Sequence, residues 1–244
     1  MVPFPIKQPW LSAHIFYSEP FEGLLINGVK PFITKLKVDK KIDGYFFIRY
    51  WERGSHIRLR IKADPQVLQD DIKPCLLSNF NEFIREFPSE RNDPDWVQNL
   101  PSDKQWYSDN SIQFIDYEPE TNRYGGEHTI TVAEEHFQHS SDAVLNNIGP
   151  NKEWNYDRAL GAALQLHLSF AYAIGLNISQ ARFFFNEVYK QWLPRTSNIV
   201  FSLIKKKKQN IRQEKIIEAF ERTFEIQKDY LVPFMNSFWD LLQR

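Results

Sequence analysis

The sequence is poor in cysteine, in long apolar runs and in net charge, and each absence argues against a class of protein. Cys75 is the single cysteine among 244 residues, so no internal disulfide can form and a cysteine-based metal site is not expected. No apolar run approaches the roughly 20 residues that span a bilayer. The first ten residues, MVPFPIKQPW, have neither a basic start followed by an apolar core nor a cleavage site, which predicts a cytoplasmic rather than a secreted protein.

Charge is nearly balanced, with a formal net charge of −1 and an isoelectric point near 6.6. Proteins that coat nucleic acid usually carry a basic excess, so direct nucleic-acid binding is not expected. The KKKK run at 205–208 predicts a solvated helix end or loop, and a site for an acidic leader peptide or tRNA stays open as the alternative. With 42% hydrophobic and 15% aromatic residues, the chain can bury a large core.

The first half of the chain has the pattern of strands and the second half that of helices. Strands are predicted at 11–17, 44–50 and 111–118, which are rich in aromatic and branched residues. Helices are predicted at 65–87, 131–145, 157–174, 179–192 and, with a break near Pro233, 212–244. The pattern therefore predicts a single α+β domain over 1–244, in which an antiparallel sheet in a β-rich lobe, about 1–130, packs on a helical lobe, about 131–244.

Punctuating residues set the expected boundaries of these elements. Asp64 and Thr131 are the predicted N-terminal caps, and Glu134 completes an S/T-x-x-E signature with Thr131. Gly175 and Pro194 are the predicted helix ends. The segment 22–36 is a helix or an irregular stretch interrupted by Pro31. The polar segment 88–109 predicts a long surface loop, either an insertion, which is favoured, or a lid.

The most informative segment is 45–62, YFFIRYWERGSHIRLRIK, which alternates apolar and charged residues with the two-residue period of a strand. One face carries Ile57, Leu59 and Ile61. The other carries His56, Arg58, Arg60 and Lys62. Like charges side by side repel unless an anion or carboxylates face them, so this row predicts an anion-binding surface; a solvated strand face is the alternative.

A second unusual segment, 117–127, reads YEPETNRYGGE. Its Gly-Gly pair permits backbone conformations that other residues avoid, which predicts a tight turn that can direct Arg123 and Tyr124 at a neighbouring strand. Isolated histidines carry less information. His167 is predicted to be a core or boundary histidine, and His136 and His139 lack a third ligand, so no metal site is expected.

Together the segments WERGSHIRLRIK and YEPETNRYGGEHTITVAEEHFQHSSDAVL, followed by a helix-rich tail, resemble the C-terminal elimination domain of class I lantibiotic dehydratases. That domain also stands alone as the thiopeptide-type bacteriocin biosynthesis protein. The resemblance covers 10–193, and the paired HxRxR and RYGG motifs carry it. It implies removal of glutamate from a glutamylated Ser or Thr of a precursor peptide, which leaves a dehydroamino acid.

The resemblance also implies roles for particular residues. Arg58, Arg60 and Arg123 match the family positions expected to bind substrate and stabilise developing negative charge. His56 and Tyr124 are adjacent candidates for proton transfer or hydrogen bonding. No cofactor and no metal are implied. The implied partners are the precursor peptide, with its leader and core, and a separate glutamylating dehydratase subunit, while a homodimer stays open.

One departure from the family pattern keeps other functions open. Glutamate-eliminating members carry a late HMxxNR-like motif whose histidine serves acid/base chemistry, but the last histidine here is His167. A relative that catalyses a [4+2] cycloaddition, or a non-catalytic subunit that binds the peptide, therefore remains an alternative. The discriminating feature is whether the three arginines converge on a proton-transfer group or pair with the carboxylates Glu118, Glu120 or Glu127.

Overall fold

The computed structural model describes residues 10–148, 156–206 and isolated positions between 222 and 243. The chain forms two compact units, Met1–Glu153 and Trp154–Arg244. The first contains an antiparallel sheet with helices and the second is helical, which confirms the α+β class.

The sheet of the first unit has four strands in the order β2-β3-β1-β4, and every pairing is antiparallel. The strands are β1, Trp10–Phe16; β2, Gly44–Tyr50; β3, His56–Lys62; and β4, Ser111–Phe114. The predicted strands are thus present, although β4 is shorter than expected. Because β3 lies between β2 and β1, its side chains have neighbours on both sides.

Alternation along β3 divides its side chains as predicted, but both faces are covered. Ile57, Leu59 and Ile61 are fully buried on one face. On the other face His56 is 1% exposed and Arg60 is 8% exposed. The alternative of a solvated strand face therefore does not hold for these two residues, because aromatic side chains from other segments lie over them.

Helices of the first unit supply much of its core. A π-helical turn, Leu24–Val29, leads directly into α1, Lys30–Val38, so the helical segment continues through Pro31 instead of being interrupted there. The segment after β3 is helical throughout: α2, Pro65–Val67, then a π-helical turn, Leu68–Ile72, then α3, Lys73–Glu86. Asp64 caps this segment as predicted, since its carboxylate accepts hydrogen bonds from the N–H groups of Gln66 and Val67.

Helix α4, Ile130–Asn147, lies against the edge strand β2. The backbone N–H of Tyr45 donates to Oε1 of Gln138 at 3.1 Å, and that of Phe47 donates to Oγ of Ser141 at 3.0 Å. These side chains satisfy donors that an edge strand would otherwise leave open.

The predicted cap of α4 is wrong. The helix begins one residue before Thr131, and the residue at the cap position is Thr129. Its hydroxyl donates to the backbone oxygens of Tyr124 and Gly126 and so closes the preceding turn.

The predicted loop after α3 is present and contains two 3-10 helices, Asp95–Asn99 and Ser102–Lys104. Polar contacts join its two ends and attach it to the turn between β2 and β3. Ser89 donates to Asp109 at 2.8 Å, and the backbone N–H of Tyr107 donates to the Arg53 oxygen at 3.0 Å.

The second unit contains α5, Tyr156–Ala173, and α6, Ile178–Lys206. Gly175 ends α5 with a φ of +78°, as predicted. The predicted end of α6 at Pro194 is wrong, because the helix continues through it; proline's fixed φ fits a helix at the cost of one hydrogen bond. Most of the predicted helix 212–244, and Lys207 and Lys208 of the basic run, lie outside the described residues.

In the part of the chain that the structure describes, no single helix has the length and apolar character to cross a membrane. The bent pair Arg158–Ala173 and Ile178–Trp192 reaches those limits only when its two helices are combined.

Candidate active site

The candidate site lies on the face of the sheet that carries the basic row of β3. Register places three residues of β1 directly opposite this row: Ser12 faces Arg60, His14 faces Arg58, and Phe16 faces His56. On the other side, β2 contributes aromatic and apolar neighbours, Phe46 opposite Arg60 and Tyr50 opposite His56.

Arg58 is engaged by its neighbours. Its Nη2 lies 3.1 Å from Oε2 of Glu52, and its Nε donates to Nε2 of His56 at 3.2 Å. The guanidinium also stacks 3.5 Å from the centroid of the Tyr50 ring. Its charge is therefore balanced within the protein, and its orientation is fixed.

Arg60 has a different environment on the same face. Its guanidinium lies 4.2 Å from the ring centroid of Tyr117 and 5.3 Å from that of Phe46. Its Nε is buried and has no hydrogen-bond partner among the described residues, and the same holds for Oγ of Ser12 directly opposite. Burial lowers the pKa of Arg60 to about 10, with Glu120 and Glu134 acting in the opposite direction at longer range. A buried guanidinium with an unpaired N–H is costly, so this position favours an incoming anion.

Arg123 and Tyr124 lie in the turn that the Gly-Gly pair was expected to form, and Gly125 and Gly126 both have positive φ. Nη1 of Arg123 lies 3.0 Å from Oε2 of Glu120, and the Arg123 side chain is 72% exposed. The Tyr124 ring packs edge-on against Phe137 of α4 at 5.1 Å. Neither side chain contacts Arg58 or Arg60 among the described contacts.

His56 is held as a neutral imidazole. Its Nδ1 lies 2.8 Å from the Gly54 oxygen, while Nε2 accepts from Arg58, which assigns the proton to Nδ1. Its ring stacks on His14 at 5.0 Å and on Phe16 at 4.4 Å. Burial lowers the pKa of His56 to about 4 and that of His14 to about 3, so both imidazoles are uncharged at neutral pH.

A second pair of titratable groups lies beside Arg60. Tyr117 and Glu134 of α4 are close enough for each to shift the pKa of the other. Burial raises the pKa of Tyr117, and burial also raises the pKa of Glu134, although Tyr117, Lys62 and Arg60 act to lower the latter. The Tyr117 ring packs edge-on against Trp10 and Phe46 at 5.7 and 5.9 Å.

The fold thus brings together three of the residues singled out by sequence, His56, Arg58 and Arg60. It joins Tyr117, Glu134 and His14 to them, which sequence reasoning missed as site residues. Tyr117 begins the segment 117–127, which was singled out for its predicted turn, but its contact with Arg60 depends on non-local packing. Among the described residues there is no group of three His, Cys, Asp or Glu side chains that could hold a metal.

Residues 10–243 match the family described as lantibiotic biosynthesis dehydratase C-term, and the chain belongs to that family. The match confirms the resemblance drawn from the HxRxR and RYGG motifs. A 140-residue stretch, 57% of the chain, is 29% identical to the epidermin biosynthesis protein EpiB of Staphylococcus epidermidis. It covers 12% of EpiB, so the chain spans a small part of that relative.

Three solved structures have a similar fold. The pyridine synthase TbtD from thiomuracin biosynthesis superposes with a TM-score of 0.65 at 15% identity, over 96% of this chain and 73% of TbtD. The tRNA-dependent lantibiotic dehydratase MibB from Microbispora sp. 107891 gives a TM-score of 0.51 at 23% identity, over 72% of this chain and 15% of MibB. TsrL gives a TM-score of 0.58 at 16% identity, over 98% of this chain and 61% of TsrL. At these identities the likeness shows the fold alone.

Proposed function

We propose that this protein removes glutamate from glutamylated Ser or Thr residues of a precursor peptide and leaves dehydroamino acids. Family membership supports a role in the biosynthesis of lantibiotic-like or thiopeptide-like peptides. The observation that carries the proposal is the guanidinium of Arg60, which is 8% exposed and whose Nε lacks a hydrogen-bond partner among the described residues.

The substrate supplies the anion that this position favours. A glutamyl ester carries free carboxylate on its glutamyl part, and a further carboxylate forms when the ester oxygen departs. A fixed guanidinium stabilises that charge more strongly in a buried site than in water. In this proposal Arg60 holds the glutamyl group, Arg58 lies beside it in an orientation fixed by Glu52 and His56, and Arg123 approaches the peptide from the solvent side.

The proposed partners follow from this chemistry. The protein acts on a precursor peptide with leader and core, after a separate subunit has glutamylated the hydroxyl groups. The residues proposed for catalysis require no metal and no organic cofactor.

The experiment is mass spectrometry of a synthetic glutamylated peptide after incubation with the purified protein. Loss of one glutamic acid per modified residue is the expected result, and Arg60→Ala and Arg123→Ala should each abolish it while the circular dichroism spectrum stays unchanged. Glutamylated peptide recovered intact from the wild-type incubation would refute the proposal.

A [4+2] cycloaddition on a peptide that already contains two dehydroalanines is the second candidate. The absence of any histidine after His167 and the superposition on the pyridine synthase TbtD over 96% of the chain favour it. A third candidate is a non-catalytic subunit that binds the modified peptide, which the pairing of Arg123 with Glu120 favours. Incubation with a bis-dehydroalanine peptide separates these two, since a cyclised product supports the second and unchanged but bound peptide supports the third.

A further inference from the structure

One polar residue on the inner face of α4, Glu134, makes no hydrogen bond to the backbone of the sheet among the described contacts. Phe137 packs against Phe46 at 5.3 Å, and Gln138 and Ser141 bond the edge of β2. Glu134 lies one helical turn before them and therefore on the same face.

The surroundings of Glu134 combine burial with opposing charges. Phe137, one turn further along α4, packs on Phe46, whose ring lies 5.9 Å from that of Tyr117 and 5.3 Å from the Arg60 guanidinium. Arg60 in turn lies 4.2 Å from the Tyr117 ring centroid, so this face of α4 and the two residues form one cluster. Tyr117, Lys62 and Arg60 all act to lower the pKa of Glu134. The next residue of α4, Glu135, is exposed to solvent.

Such a cluster contains what an elimination requires on adjacent groups, namely an anion-binding cation and a base. Burial raises the pKa of Glu134, so this carboxylate holds a proton more readily than an ordinary surface glutamate does. His56 cannot supply this function in the geometry observed, since its free lone pair accepts a hydrogen bond from Arg58.

Resting on the elimination proposed above, we propose that Glu134 is the base that removes the Cα proton of the glutamylated residue, and that Tyr117 positions its carboxylate. The Cα–H electron pair becomes the Cα=Cβ double bond while the Cβ–O bond breaks. The Cβ–O pair leaves with the glutamate carboxylate, which Arg60 receives. The proton stays on Glu134 and passes to solvent after release, so no oxidant or other reactant is needed.

The test is the elimination rate of Glu134→Gln on the synthetic glutamylated peptide, with binding of the same peptide measured in parallel by fluorescence anisotropy. We expect kcat to fall by about 10²- to 10⁴-fold, the usual contribution of a general base, while the Kd of the peptide changes less than about threefold. Glu135→Gln is the matched control on the same helix and should retain the wild-type rate. Glu134→Asp keeps the carboxylate and should recover part of the activity.

The pH profile distinguishes a base from a structural residue. Wild-type kcat should rise with pH through the pKa of Glu134, above the value of about 4.3 of a free glutamate, and this limb should disappear in Glu134→Gln. The Tyr117 hydroxyl acts to lower the pKa of Glu134, so the limb should move to higher pH in Tyr117→Phe.

The outcomes separate this inference from the function on which it rests. If the wild-type protein leaves the peptide unchanged, the proposed function fails and the role of Glu134 fails with it. If the wild-type protein eliminates glutamate and Glu134→Gln does so at the same rate, the function stands and Glu134 is not the base. An equal loss of rate in Glu134→Gln and Glu134→Asp, with peptide binding also lost, would likewise overturn the assignment.

Discussion

Replacement of Arg60 by methionine should stabilise the protein and abolish its activity. The guanidinium of Arg60 is buried against the rings of Tyr117 and Phe46, and its Nε has no hydrogen-bond acceptor among the described residues. Methionine is unbranched and flexible, makes favourable contacts with aromatic rings and has no charge to desolvate.

The magnitude follows from the pKa of the group. The fall from 12.5 to about 10 corresponds to roughly 3 kcal/mol by which the charged form is less favourable here than in water. Cation–π contacts with the two rings offset about 1 to 2 kcal/mol of this penalty. We therefore expect Arg60→Met to raise the free energy of unfolding by about 1 to 2 kcal/mol, which is on the order of 2 to 8 °C in Tm.

The matched control is Arg58→Met, two residues earlier on the same strand and face. Arg58 donates to Nε2 of the buried His56 and pairs with Glu52, so its removal leaves a buried acceptor without a donor. The free energy of unfolding of that variant should be lower than that of the wild type by about 1 to 2 kcal/mol. The two substitutions are chemically identical and are expected to have opposite signs.

Urea and thermal unfolding of the full chain at pH 7, followed by circular dichroism, measure both variants, and the glutamylated-peptide assay measures activity. If Arg60→Met is less stable than the wild type by more than about 1 kcal/mol, the charge of Arg60 stabilises the fold. That result would refute the argument that this charge serves to bind a substrate anion.

Two further predictions concern the unit that carries the site. Ser141→Ala should lower the free energy of unfolding by about 1 kcal/mol, because the Phe47 N–H at the sheet edge loses its acceptor, whereas Ser140→Ala on the exposed side should change it by less than about 0.5 kcal/mol; equal effects in urea unfolding would contradict the edge contact. Acid should also destabilise this unit. In the unfolded chain histidines gain protons below about pH 6.5, whereas in the folded protein the buried His56 and His14 gain them only near pH 4 and pH 3. The contribution of these histidines to stability is therefore complete above about pH 6.5 and falls as the pH decreases towards 4. When the free energy of unfolding is measured from pH 7 to 4, its slope against pH should be smaller in His14→Gln than in the wild type and the same in the exposed control His136→Gln. An unaltered slope in His14→Gln would refute this assignment.

Much of the local structure was predictable because its causes are local. The two-residue period of 56–62 predicted which side chains of β3 share a face, and the cap at Asp64 and the helix end at Gly175 depend on neighbouring backbone groups alone. The cap at Thr131 and the stop at Pro194 failed. In the first case the hydroxyl of Thr129 closes the preceding turn, and in the second a helix tolerates one missing hydrogen bond.

The partners of β3 were less predictable, since the pairing register depends on segments far apart in the chain. His14 is an ordinary strand residue in its own segment and becomes part of the site only because β1 pairs with β3 so that it faces Arg58. Glu134 looked like part of a helix-capping signature. Its position beside Tyr117 follows from the packing of α4 along β2.

The family, the α+β class and the row of cationic side chains on one strand face could be derived from motif order and side-chain alternation, because both are properties of the chain. The sequence could not distinguish Arg58 from Arg60, which occupy equivalent positions in the alternation. Only the tertiary structure separates them: Glu52 and His56 engage the first, while Tyr117 and Phe46 enclose the second. The physical reason is that the charge state and hydrogen bonding of a side chain depend on what surrounds it in space, and segments more than 50 residues away supply the Tyr117 ring and the Glu134 carboxylate that surround Arg60.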